Sequence, residues 1–138
     1  MRHYAFQDLS VGMAETFQVT VTQENQELFL KLSGDINPLH TDQAYALQEG
    51  YRDCLVYGMC TASFYSTLVG VYLPGEACLF HECNMSWPRP VYIGDKLTVT
   101  GRVTELDERF HQVKIKAFIT NQNGEKVSRA TLVVGVRK

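Results

Sequence analysis

Fourteen consecutive residues, "MCTASFYSTLVGVY" from Met59 to Tyr72, carry no charge. As a helix rising about 1.5 Å per residue, the stretch spans roughly 21 Å, short of the roughly 30 Å needed to cross a bilayer. A short helix that is apolar nearly all round is one surrounded by protein. Gly70 and then Pro74-Gly75 close it. The rest of the chain must therefore supply the wall around it.

Everything after Pro74 reads as that wall. Residues 76–87, 95–106, 109–122 and 125–138 are four runs rich in Val, Thr, Ile and Phe, the composition of strands. Val113, Ile115, Ala117 and Ile119 alternate with Lys114, Lys116, Phe118 and Thr120, so the third run is half exposed. Asn123-Gly124 marks a hairpin, and Tyr92-Ile93-Gly94-Asp95 turns the chain before the second run.

Ahead of the uncharged stretch, residues 14–21 read as a first strand. Thr22 then caps a helix with Leu28, Phe29 and Leu32 on its apolar face, which Gly34 stops. "NPLHTDQAYALQEG" offers a second helix, starting near Pro38 or Asp42 and ending before Gly50. The expected fold is α+β: one domain over residues 1–138, an antiparallel sheet wrapped around a buried central helix.

A formal net charge of −2 gives no general attraction to nucleic acid or to an anionic membrane. Cys54, Cys60, Cys78 and Cys83 lack the Cys-x2-Cys spacing of a zinc site and read as reduced thiols. With no apolar leader near the N-terminus, the expectation is a cytoplasmic protein without a metal.

"SGDINPLH", residues 33–40, sets Asp35 and His40 on either side of a stiff Asn37-Pro38 corner. Proline fixes φ and holds the preceding residue extended, so the acid and the base converge. Alone, Asp-x-Asn-Pro is ordinary turn chemistry. It does not stand alone. The motif, with "YGMCTAS" at the start of the uncharged helix and "PVYIGD" before a strand, resembles the MaoC-like or (R)-specific enoyl-CoA hydratase family of the hot-dog fold.

That resemblance implies the roles. Asp35 and His40 would share the water added across the double bond of a trans-2-enoyl thioester, with Asn37 supporting the corner. Ser63 would support the Asp35 side. The Gly58 N–H, at the helix N-terminus, would receive the thioester carbonyl oxygen. Arg52 and Arg89 are candidates for contacting CoA phosphates. Tyr57 departs from the family, where His commonly precedes this glycine, and offers a polar tip near the substrate. The substrate would be an acyl-CoA or acyl carrier protein thioester, with no further cofactor, and the assembly a homodimer or a dimer of dimers. His3, His81 and His111 read as structural or surface residues.

The chemistry needs these parts on its own account. Water attacking C3 must lose a proton, C2 must gain one, and the enolate between needs a donor. Positioned acids and bases contribute roughly 10²–10⁴-fold each, and an aimed oxyanion donor roughly 10²–10³-fold. Two other readings share the fold: a thioesterase, for which residues 59–72 offer no Asp or Glu, and a non-catalytic acyl-binding module. The family likeness implies an (R)-3-hydroxyacyl product. The bulk of Phe64, Tyr65, Leu68, Val69 and Tyr72 implies a short acyl chain of about four to six carbons.

Overall fold

The computed structural model describes all 138 residues. Five strands form one antiparallel sheet: β1 (Ala14–Thr20), β2 (Cys78–Ser86), β3 (Lys96–Asp107), β4 (Gln112–Thr120) and β5 (Lys126–Val136). Their spatial order is β1-β3-β4-β5-β2. The helices are α1 (Gln23–Ser33), α2 (Pro38–Thr41), α3 (Gln43–Gln48) and α4 (Gly58–Thr67), and α4 runs into a π-helical turn at Leu68–Tyr72. The α+β arrangement is the expected one.

The register explains which faces pack. Val113, Ile115, Ala117 and Ile119 of β4 are buried and Lys116 is exposed, so the alternation in the sequence selects the inner face. Leu132 and Val134 of β5 and Val99 and Val103 of β3 join them, and Tyr65, Leu68 and Val69 pack onto this layer. The packing is close at Gly101, where a Cβ would stand 2.7 Å from Leu68 Cδ2. Tyr65 reaches the sheet with its polar end: its hydroxyl donates to Ser128 Oγ at 2.9 Å, and Ser128 donates to the Ser86 carbonyl at 3.0 Å. Burial pushes the Tyr65 phenol up to about 12.

Three local expectations change. The second helix is two short ones, and both candidate starts are used. Pro38 opens α2, while Asp42 ends α2 and caps α3 through the Tyr45 N–H at 3.1 Å. On α1 the inward face is Gln26, Phe29 and Leu30, whereas Leu28 and Leu32 are exposed. Thr22 and Asn25 form the cap that sets this phase, and Gly34 at φ 70° ends the helix. Finally, α4 is not enclosed all round. Cys60, Thr61, Ala62 and Tyr65 are buried, but Met59, Ser63 and Ser66 face outward, because one curved sheet covers only one side of a helix.

The four cysteines are free, and burial raises each thiol above its ordinary value, which keeps them protonated. No helix is long and apolar enough to cross a membrane.

Candidate active site

The corner after α1 is held by its own side chains accepting from its backbone. The Asn37 N–H donates to Asp35 Oδ1 at 3.0 Å, and the Asp35 N–H donates to Ser33 Oγ at 3.2 Å. Asn37 Oδ1 accepts from the Leu39 N–H at 2.9 Å, and the Asn37 carbonyl accepts from the His40 N–H at 2.9 Å. Asn37 thus ties Asp35 to His40. One carboxylate oxygen, Oδ1, is engaged in the turn, and Oδ2 has no protein partner.

His40 is fixed from the other side. Its Nδ1 lies 2.8 Å from the Leu55 carbonyl, which can only accept. The hydrogen therefore sits on Nδ1, leaving Nε2 with its lone pair and no protein partner. The Tyr57 ring packs on the imidazole with centroids 4.1 Å apart, and the Tyr57 hydroxyl donates to the Asp35 carbonyl. Desolvation first, and the nearby Asp35 charge second, raise the Tyr57 phenol, so it remains a donor. Where the family pattern commonly carries His, this tyrosine braces both ends of the corner.

Gln26 does as much, and nothing in the sequence marked it. Buried on α1, it donates from Nε2 to the carbonyls of His40 (3.2 Å) and Leu55 (2.9 Å). Its Oε1 accepts from the Tyr57 N–H at 3.3 Å. One amide side chain joins the corner to the segment entering α4.

The start of α4 has no capping side chain. Gly58 is its first residue, and Trp87 covers it: the indole N–H donates to the Gly58 carbonyl at 2.8 Å. A Cβ on Gly58 would lie 3.2 Å from Trp87 Nε1, a tight contact that the half-exposed ring would have to ease by a few tenths of an ångström. The uncapped first turn presents N–H groups and the positive end of the helix dipole.

A cavity of about 360 Å³ brings His40 together with Gly58, Thr61, Trp87 and Arg89, while Asp35 lies outside its lining. Phe64, Tyr65, Leu68, Val69 and Tyr72, expected to crowd the acyl chain, do not line it. They turn to the sheet, as Tyr65 does, or stack within the fold, as Tyr72 does on Phe17. The walls are instead Tyr51, Leu55, Trp87, Pro88 and Pro90.

The remaining candidates divide. Ser63 is not brought to Asp35 within the chain: it is exposed, and its hydroxyl donates to the Cys60 carbonyl at 2.6 Å. Arg52 and Arg89 do come together, at a surface depression of about 190 Å³ beside Asn121–Asn123. Each has an acidic neighbour. Arg52 lies 3.7 Å from Asp95 and over the Tyr92 ring, and Arg89 lies 2.9 Å from Glu125. Arg89 also borders the His40 cavity, so the two hollows are neighbours. No cluster of His, Cys, Asp and Glu has the grouping of a metal site.

Comparison with known proteins gives a consistent picture. Residues 10–124 match the family described as MaoC like domain. An (R)-specific enoyl-CoA hydratase from Rhodospirillum rubrum is 31% identical over 133 residues, covering 96% of this chain and 88% of that protein. A 3-hydroxybutyryl-CoA dehydratase from Methylorubrum extorquens is 29% identical, over 77% of this chain and 68% of that one. Among solved structures, an (R)-hydratase from A. caviae involved in PHA biosynthesis superimposes with a TM-score of 0.90. It is 32% identical, over 94% of this chain and 98% of that one.

Proposed function

We propose, from the premise that this chain belongs to the MaoC-like dehydratase family with its hot-dog fold and hydro-lyase chemistry, that it is an (R)-specific enoyl-CoA hydratase. It adds water reversibly to a trans-2-enoyl thioester. The observation that carries the reading is the corner: Asn37 ties Asp35 to His40 while Asp35 Oδ2 and His40 Nε2 stay free. Water held between those two atoms attacks C3, the pair takes its proton, and C2 is protonated in turn. The enolate charge that builds on the thioester oxygen falls to the Gly58 N–H at the uncapped start of α4.

The finer parts follow from the same layout. A thioester seated beside His40 runs its pantetheine arm past Arg89, toward Arg52 and the CoA phosphates. The exposed Leu28, Leu32 and Ile36 near the corner, with Met59 on the open face of α4, suit a homodimer. Sedimentation at twice the chain mass checks that. The placement is cytoplasmic, which cell fractionation tests.

Incubation with crotonyl-CoA, following enoyl absorbance, free thiol and product chirality together, decides among the readings. Loss of absorbance without thiol, yielding (R)-3-hydroxybutyryl-CoA, is the expected result. Release of thiol favours a thioesterase, and no change favours a binding module. The (S) product overturns the stereochemical assignment alone.

A further inference from the structure

Thr61 lies three residues after Gly58 on α4 and is completely buried, and its Oγ1 is the one buried side-chain polar atom without a hydrogen-bond partner. A threonine inside a helix commonly turns its hydroxyl to the carbonyl one turn back. Here the Tyr57 carbonyl accepts the Thr61 N–H at 3.1 Å, but not the hydroxyl. An orphaned buried hydroxyl lowers stability, and an apolar residue of the same shape would remove that cost. Structural need does not explain it.

Position does. Residues three apart share a helix face, and each Cα–Cβ bond tilts toward the helix N-terminus. The Thr61 side chain therefore leans toward the first turn, where Gly58 has no cap, and both residues line the cavity with His40. We propose that Thr61 is a catalytic residue whose hydroxyl donates, alongside the Gly58 N–H, to the thioester oxygen as the enolate forms. The inference rests on the hydratase reading given above. As the water oxygen bonds to C3, the C2–C3 π electrons shift toward C1 and charge gathers on the carbonyl oxygen. That charge returns when C2 takes its proton, and Thr61 keeps its own proton throughout. Thr61 Oγ1 is closed to solvent in the free protein, so the donation requires the cavity wall around the half-exposed Trp87 to yield as the thioester seats.

The test compares Thr61→Val, close to isosteric, with Thr61→Ser, using crotonyl-CoA turnover and thermal unfolding. Thr61→Val is expected to lower kcat roughly 10–100-fold, less than the loss of a sole oxyanion donor because Gly58 remains. KM should stay within about twofold, since the interaction belongs to the transition state. Its Tm should equal or exceed that of the wild type, and Thr61→Ser should restore most of kcat. Wild-type kcat in Thr61→Val overturns the proposal, as does a lower Tm without rescue by serine. A wild-type protein that does not hydrate crotonyl-CoA defeats the underlying reading, so the two failures are distinguishable.

Discussion

The roles proposed for Asp35 and His40 follow from what their neighbours occupy. The turn engages Asp35 Oδ1, and the Leu55 carbonyl takes the Nδ1 hydrogen of His40. One polar atom without a protein partner remains on each. Asp35→Asn and His40→Ala should each reduce kcat by roughly 10²–10⁴-fold, and the double variant should be little worse, because the proposal has the two act on one water. Single-turnover measurements with unchanged circular dichroism check this, and near wild-type turnover in either variant excludes the assignment. These residues were legible in the sequence because their spacing around Asn-Pro is rigid. Gln26 was not: a glutamine on a helix reads as surface, and only the folded chain shows carbonyls on one side and an N–H on the other. Thr61 was hidden for the opposite reason, lying inside an uncharged run where a single hydroxyl looks like filler.

Among the elements, α4 was visible in outline and its surroundings were not. The absence of charge marked it as a packed helix. Yet Met59, Ser63 and Ser66 face outward, since absence of charge cannot distinguish a face that meets the sheet from one that is merely neutral. The same ambiguity bears on acyl length. Phe64, Tyr65 and Tyr72 are bulky but do not line the cavity, whose wall comes from Tyr51, Leu55 and the Trp87–Pro90 segment. A short-chain preference therefore rests on Trp87. With the wild type, kcat/KM should peak at about four to six acyl carbons. Trp87→Ala should move the peak upward, with each added buried CH₂ contributing about 0.8 kcal/mol, or roughly fourfold. It should also lower turnover of the C4 substrate, because the indole holds the Gly58 carbonyl. A C4–C12 series on both proteins measures it, and an unmoved optimum rules out the indole as the limit.

Across the whole molecule, the sheet was the most readable part. Period-two alternation, Asn123-Gly124 and the Tyr92–Asp95 turn specify strands and hairpins locally, so the β3–β4–β5 meander follows directly. The placement of β2 beside β5 depends on long-range packing over α4, which no local pattern encodes. That packing makes an alkaline prediction. Tyr65 is anchored between α4 and the sheet, and its phenol is raised from 10.0 to about 12. Below pH 10 the phenol is neutral in both folded and unfolded chains, and the full stability is present. As pH rises from 10 toward 12 the unfolded chain ionises first, so stability falls across that window. Denaturant midpoints should decline there, and Tyr65→Phe should flatten the decline; an equally steep fall in the variant places its origin elsewhere. The Tyr57 phenol shifts in the same direction and adds to the slope.

The corner that carries Asp35 and His40 closes on itself, through hydrogen bonds among residues 33–40 and a brace from Gln26 and Tyr57. The Trp87–Pro90 wall belongs to a different stretch of chain, lines the cavity that His40 also borders, and is tied to the start of α4 by the Trp87 hydrogen bond to the Gly58 carbonyl. The proposed acid–base pair and most of the proposed acyl wall therefore sit on different stretches of chain. A lineage could retune which thioesters it accepts by drifting through four residues after β2, with the proton-transfer machinery left untouched.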